Sequence, residues 1–557
     1  MKKLTKVLLI TAFMAVSVSS IVAQHDPKEM GLNAITMAAV KGQLEFLASD
    51  WTEGRMTGQK GCYMAADYIA SMFKVYGIKP AGDIESFRFS RSFMTRGVSP
   101  ERNRTYFQNF SLIEYSPGDN HEFSVTSGKQ VINFAYRTDF SVQTSDVGTE
   151  LNAPVVFVGY GFVDEENKYN DFKDVDVKGK VILRLSGYPG HRDTASAAYK
   201  KFTPQDRRAR FRISRSKNND AEKYGAIAVI EVNPEQDYSR SWSANYPFRY
   251  NTRMYEGDKR RASFSDTRMS LPGDTLSDRM NTINITMRVA NEIVKGTGVS
   301  FADFEKYAME KMKPASKTLT GKSVFLKTTV NSKIIQARNV VGVIEGEDPD
   351  EIIVIGGHYD HLGKHDGYIW NGADDNASGT VGVMTIAKAF MATGVKPKKT
   401  IVFAAWTGEE KGLLGSKYFA ENPYKPVENI NLYLNYDMIS RDSRNDSSGV
   451  KCRMNYTEAY SQLKKVTIEH NDKYNLGLDI SFRASERPSG GSDHSSFAAK
   501  DIPVFYFMAG FPPEYHQPDD HISLVNWDKM AKIIKLGFLD IWKFANTDWK
   551  SQTSSEE

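Results

Sequence analysis

Cysteine is nearly missing from this chain. Cys62 and Cys452 are the only two in 557 residues. A disulfide framework and a cysteine-rich zinc site are therefore excluded, since neither thiol has metal-type spacing. The pair could form one disulfide in an oxidising compartment, but two cysteines so far apart are weak support for a bridge, and two free or buried thiols are the favoured reading. Charge of one sign is also lacking. The formal net charge is +4, and Lys2, Lys3 and Lys6 supply three of those charges. A near-neutral remainder gives no reason to invoke nucleic acid. Internal repeats are absent, and so is any apolar run long enough for a membrane span in the mature chain. The one apolar stretch, from Val7 to Ala23, follows the three lysines and carries Thr11, Ser17, Ser19 and Ser20. It reads as a secretory signal peptide over 1–23, ending in a small residue before Gln24. Export to the periplasm or medium is the expectation. No cysteine follows the run, so lipid attachment there is not supported.

What is present is ordinary globular material, 40% apolar and 25% charged, enough for a sizeable core. Helical spacing marks Ile35 to Ser49 and Gly61 to Tyr76, the second stopped by Gly77 and Pro80. Short β-like runs fill the next region: 154–162, 179–185 and 226–232. Lys200 to Lys217 holds eight Lys or Arg residues and reads as a solvated helix face. From about residue 300, apolar runs at 340–344, 352–355, 400–405, 432–435 and 502–507 alternate with helical patterns at 378–393, 413–420 and 457–474. That alternation predicts an α/β fold, a mainly parallel mixed sheet flanked by helices, with an inserted β-rich domain. The domain boundaries read as 24–139 and 296–550 for the two parts of the main domain and 140–295 for the insert.

Five residues each lie just past a strand-like run or at the start of a helix: His358, Asp375, Glu410, Asp437 and His516. In open α/β sheets, ligands bind beyond the carboxyl ends of strands, so these residues would converge on one rim. Two imidazoles and three carboxylates form a ligand set for two zinc ions, and Glu409 is a spare carboxylate beside one of them. His361, His365 and His521 read as solvated or hydrogen-bonded surface histidines. Trp370, Met508, Phe511 and Tyr515 flank the motifs and could line a substrate pocket, as could Phe507, which equally reads as strand core.

The segments Gly356-Gly-His-Tyr-Asp360, Gly372-Ala-Asp-Asp-Asn-Ala-Ser-Gly379, Trp406-Thr-Gly-Glu-Glu-Lys-Gly-Leu-Leu-Gly-Ser416, Asn435-Tyr-Asp437 and Tyr515-His-Gln-Pro518 resemble the co-catalytic dizinc aminopeptidases of clan MH. Glutamate carboxypeptidase II, the glutaminyl cyclases and the non-catalytic transferrin receptors belong to the same group. The resemblance covers most of residues 320–545, and the 140–295 insert is similar to a protease-associated domain. It implies two Zn2+ per chain, bridged by Asp375. His358 and Asp437 would complete one site, Glu410 and His516 the other. Asp360 would accept a hydrogen bond from the His358 ring, and Glu409 would act as general base. The resemblance also implies a cis peptide at Asp375–Asn376. Peptide or protein substrates follow, attacked at the N-terminal residue. A glutaminyl cyclase or a carboxypeptidase or dipeptidase on the same scaffold are the alternatives. The chain departs from the family pattern at His521, where small hydroxyl residues are common. Ser492-Asp-His494 recurs near the cleft in the family, with a structural or a catalytic role for Asp493.

Overall fold

The computed structural model describes residues 26–85, 103–142, 144–205, 207–234, 267–274, 280, 282–365 and 367–550. The expected signal peptide and the Ser/Glu tail at 551–557 lie outside them. The described residues divide into two compact units: those within 26–110, 336–364 and 368–550 form the first, those within 111–335 together with 365 and 367 the second.

The first unit is built on a mixed sheet. Its strands include β1 (Val330–Ile344), β2 (Asp348–His358), β3 (Lys399–Trp406), β4 (Ile430–Tyr436), β5 (Lys451–Thr457), β6 (Asp479–Ser485) and β7 (Val504–Met508), in the spatial order β1-β3-β2-β4-β7-β5-β6. The central pairs β3/β2, β2/β4 and β4/β7 are parallel, whereas β1/β3 and β5/β7 are antiparallel. Successive side chains on a strand point to opposite faces. Ile353 and Ile355 of β2 therefore enter one core, with the helices Met37–Leu47, Lys60–Tyr76, Gly379–Ala392 and Trp527–Ala545. Ile352 and Val354 enter another, with Trp406, Phe419 and Phe497. Both faces are covered, which is why the central strands read as continuous apolar runs rather than alternating ones.

The helices start and stop where local chemistry dictates. The Thr36 hydroxyl accepts from the Ala39 amide, and the Asn526 side chain accepts from the Lys529 amide. Lys60–Tyr76 ends at Gly77, whose φ of 83° is left-handed. Cys62 and Cys452 are both buried and free. No helix among the described residues is long and apolar enough to cross a membrane.

The second unit holds an eight-stranded sheet in the order Gln130–Phe134, Glu122–Ser127, Lys317–Thr328, Thr149–Phe157, Val181–Leu185, Ala228–Val232, Thr282–Ile285, Phe140–Val142. It begins earlier and ends later than the 140–295 span expected from sequence texture. The reason is strand pairing: Lys317–Thr328 lies between Glu122–Ser127 and Thr149–Phe157, antiparallel to both. The basic run at 200–217 spans parts of two helices, Ala197–Phe202 and Arg207–Lys223. Lys217 in that run is buried, not solvated.

Candidate active site

Every proposed ligand lies at the carboxyl end of a parallel strand or in the loop beyond it. His358 is the last residue of β2, Asp437 follows β4, and Glu409 and Glu410 follow β3. Asp375 sits in the loop before the helix Gly379–Ala392, and its peptide to Asn376 is cis. His516 lies beyond β7 with a positive φ of 57°.

These groups meet. His358 Nε2 lies 3.4 Å from Asp375 Oδ1, 3.5 Å from Asp437 Oδ1 and 3.8 Å from Glu409 Oε2. His516 Nε2 lies 3.0 Å from Asp375 Oδ2 and 3.3 Å from Glu410 Oε2. Asp375 thus offers one oxygen to each histidine. His358, Asp375 and Asp437 are spaced to hold a cation, and so are His361, Asp375 and Glu410. Apart from the His358 ring, buried Asp437 Oδ1 has no hydrogen-bond partner among the described residues. Several carboxylates buried around two imidazoles make an environment that a cation would neutralise, so the residues present fit a metal.

The electrostatics report the same crowding of negative charge. Burial works against a charged His358, but Glu409, Asp437 and Asp375 outweigh it and hold its pKa well above the usual imidazole value. The same holds for His516, where Glu410 and Asp375 win against burial. Glu410 is held well below the usual carboxylate range because His516 and His361 overcome its burial. Glu409 goes the other way: burial, with Glu410, Asp493 and Asp437 adding repulsion, raises it well above that range despite His358. Burial also pushes Asp493 up to about 7.

A supporting frame fixes the ligands. The Asp520 carboxylate accepts from the amides of Asp374 and Asp375 at 3.0–3.1 Å. Asn376 Oδ1 accepts from the Gly379 and Met438 amides, while its Nδ2 donates to the Tyr436 carbonyl, tying the Asp375 loop to the Asp437 loop. Buried Arg55 donates to the carbonyls of Tyr359, Asn371 and Gly372, beside two of the ligand segments.

Two expectations need correction. Asp360 does not orient His358 through its carboxylate. The His358 Nδ1–H donates to the Asp360 main-chain carbonyl at 3.1 Å, leaving the carboxylate 3.8 Å away. The carboxylate instead accepts from the Glu409 amide and the Thr57 hydroxyl. A backbone acceptor still fixes the tautomer and turns the Nε2 lone pair toward Asp375 and Asp437. His361, expected at the surface, is fully buried and donates from Nδ1 to Glu410 Oε1 at 2.8 Å. Its position one residue past Asp360 on the same loop was the available signal. The roles of Asp520 and Asn376 had none, because each acts on main-chain groups, and neither had that of Thr57, which meets the Asp360 carboxylate from far away in sequence.

The pocket candidates divide. Trp370 is buried and donates from Nε1 to the His516 carbonyl, so it braces the His516 loop. Tyr515 stacks on the His516 ring at 3.8 Å, and Phe511, 52% exposed, packs edge-on against Tyr515. Met508 is buried with Met438 and Tyr506, and Phe507 belongs to the main core.

Residues 339–538 match the model of Peptidase family M28. Among curated relatives, leupeptin-inactivating enzyme 1 of Streptomyces exfoliatus is 33% identical over 174 residues, 31% of this chain and 36% of that protein. Leucine aminopeptidase 2 of Trichophyton equinum is 30% identical over 180 residues, 31% of this chain and 33% of that protein. The aligned region thus spans about a third of the length of these relatives. Among solved structures, an aminopeptidase from Aneurinibacillus sp. strain AM-1 aligns with a TM-score of 0.55 at 17% identity, covering 95% of this chain and 98% of the other. A zinc aminopeptidase from Bacillus subtilis aligns with a TM-score of 0.50 at 18% identity, covering 94% and 98%. At those identities the likeness establishes the α/β fold alone.

Proposed function

We propose that this chain is a zinc-dependent aminopeptidase of the M28 type that removes N-terminal residues from peptides, with Glu409 as general base. One observation carries the reading: Asp375 presents its two oxygens to His358 and His516, with Asp437, Glu410 and Glu409 around them. The likeness to a leucine aminopeptidase supports the N-terminal specificity.

His358, Asp375 and Asp437 would hold one zinc ion; Asp375, Glu410 and His516 would hold a second. Zinc held there would supply polarisation of a carbonyl and acidification of a water. Glu409 would take up the proton of an attacking water and deliver it to the departing amine. Its raised proton affinity suits that exchange, and the Asp360 carboxylate holds its amide in place. His361 steadies Glu410 from the side away from His516, one carboxylate oxygen each. The cyclase and carboxypeptidase alternatives draw no comparable support. The reading gives the β-rich second unit, taken as a protease-associated-like insert, no part in catalysis. Export through residues 1–23 belongs to the same proposal, with an N-terminus at Gln24 in the mature protein.

The test combines metal content with turnover. The expected result is two zinc ions per chain, hydrolysis of aminoacyl anilides, and a Glu409→Gln variant that keeps its zinc and loses turnover by at least about a hundredfold. A variant that turns over normally would remove Glu409 from its role.

A further inference from the structure

Strand β6 is the end strand of its sheet. β5 pairs with it on one side, and no strand among the described residues lies on the other. The pairing with β5 is parallel and regular, from Lys451 opposite Asp479 to Thr457 opposite Ser485. The direction of each main-chain group follows. The Asp479 amide donates to the Val450 carbonyl, and the Ser485 carbonyl accepts from the Glu458 amide. Odd-numbered residues of β6 therefore turn their main-chain groups toward β5, and Ile480, Phe482 and Ala484 turn theirs outward. Leu478, the preceding residue in that outward series, has both groups taken by the Asn471 side chain, which closes the open stretch at one end.

Natural proteins blunt such edges with proline, lysine, a bulge or a short strand. β6 reads Asp-Ile-Ser-Phe-Arg-Ala-Ser, seven residues with no proline, no lysine and no shift in register. Asp479, Ser481 and Arg483 are exposed on one face. Neither Asp479 nor Arg483 forms an ion pair among the described residues. Ile480 and Phe482, on the other face, are half-buried against the main core. Lys464 of the helix Gln462–Lys473 stands 5.3 Å over the Phe482 ring, and Ile468, one turn further along that helix, is 39% exposed. The edge is thus open, partly apolar and charged with one acid and one base.

This strand complements itself about Ser481. Set antiparallel to a second copy with Ser481 facing Ser481, it places Asp479 opposite Arg483 of the second copy and Arg483 opposite its Asp479. Ile480 then faces Phe482 of the second copy, and these are residues whose amides and carbonyls point outward, so they form the hydrogen-bonded pairs. The charges fall at the intervening positions, where side chains across an antiparallel ladder come closest. Sliding one copy by two residues, the smallest step that keeps outward groups paired, sets Asp479 opposite Ser481 or Ser485 and loses the ion pairs. Hydrogen-bond direction and charge select the same register. We propose that β6 is a homodimer interface, through which two copies of this chain join edge to edge about Ser481 and continue the sheet across a two-fold axis.

The test is sedimentation equilibrium of the purified protein from about 1 to 100 μM, the affinity range of a small interface. The wild type is expected to show a monomer–dimer equilibrium that weakens with added salt. Asp479→Arg and Arg483→Asp each set like charges opposite one another, and each should weaken the dimer by at least about tenfold. The double variant Asp479→Arg/Arg483→Asp restores the pairs in the reversed sense and should regain the wild-type association. Both side chains are exposed, so an unchanged urea midpoint checks that each variant keeps its fold. A wild type that stays monomeric overturns the proposal. So does a dimer that neither reversal weakens, because it uses another surface, and so does a double variant that stays as weak as the single ones. A monomer whose Ile480 and Phe482 amides become protected from hydrogen exchange by an added extended peptide assigns the edge to a peptide instead, and overturns the proposal equally.

Discussion

The Asp360 carboxylate accepts a hydrogen bond from the Glu409 amide at 3.1 Å, while the His358 ring uses the main-chain carbonyl of Asp360. One residue therefore serves the ligand through its backbone and the base through its side chain. Asp360→Ala keeps the first contact and removes the second. The expected outcome is a fall in kcat of about 10–100-fold with zinc affinity within a factor of about three of wild type. Loss of zinc in equilibrium dialysis would show that the carboxylate serves His358 after all.

His361 gives the opposite pattern. Its Nδ1 holds Glu410 Oε1, the oxygen not facing His516. Replacing it with alanine frees Glu410 to rotate and leaves a buried carboxylate short of a donor. The affinity for the more weakly held zinc should drop by about 10–100-fold, with the tighter ion retained. Zinc titration of the apoprotein followed by a chromophoric chelator would separate the two steps. Two unchanged affinities would refute the role.

Lys529 anchors the loop after β4. Its buried ammonium meets Asp446 at 2.6 Å, both side chains fully buried, and also reaches Asp442. Removing one partner of a buried pair strands the other charge. Lys529→Met should cost about 3 kcal/mol in urea unfolding, seen as a lower midpoint at unchanged slope. A shift below about 1 kcal/mol would mean that water reaches Asp446.

The second unit carries a pH dependence with two limbs. Asp171 accepts from the Tyr160 and Phe162 amides and the Tyr169 hydroxyl, yet burial pushes its pKa up to about 7. A raised carboxylate favours folding fully below its unfolded value of about 4, and that contribution is lost as pH rises toward 7. Buried Lys217 donates to the carbonyls of Leu185 and Gly187, and burial lowers its pKa to about 7. A depressed lysine contributes fully above its unfolded value of about 10, and that contribution is lost as pH falls toward 7. Stability of this unit should therefore pass through a minimum near pH 7, read by hydrogen exchange in Val181–Leu185 from pH 5 to 9. Asp171→Asn should flatten the acid limb and Lys217→Met the alkaline limb. A wild-type profile without a minimum would contradict both assignments.

The sequence by itself carried the sheet's central strands and the proposed ligands. Buried parallel strands are written as unbroken apolar runs, and His358, Asp375, Glu410 and Asp437 sit in local motifs at or just beyond strand ends or before a helix. Strands β5 and β6 escaped because they are half-exposed and alternating, and the second unit's limits escaped because Lys317–Thr328 pairs with strands far away in the chain. Tertiary structure alone decided which group each buried donor meets: His361 with Glu410, Asp360 with Glu409, and Asp520 with the Asp375 amide. Residue type and spacing fix what a side chain can donate or accept. Which partner satisfies it depends on loops that lie apart in sequence and come together only when the sheet is assembled.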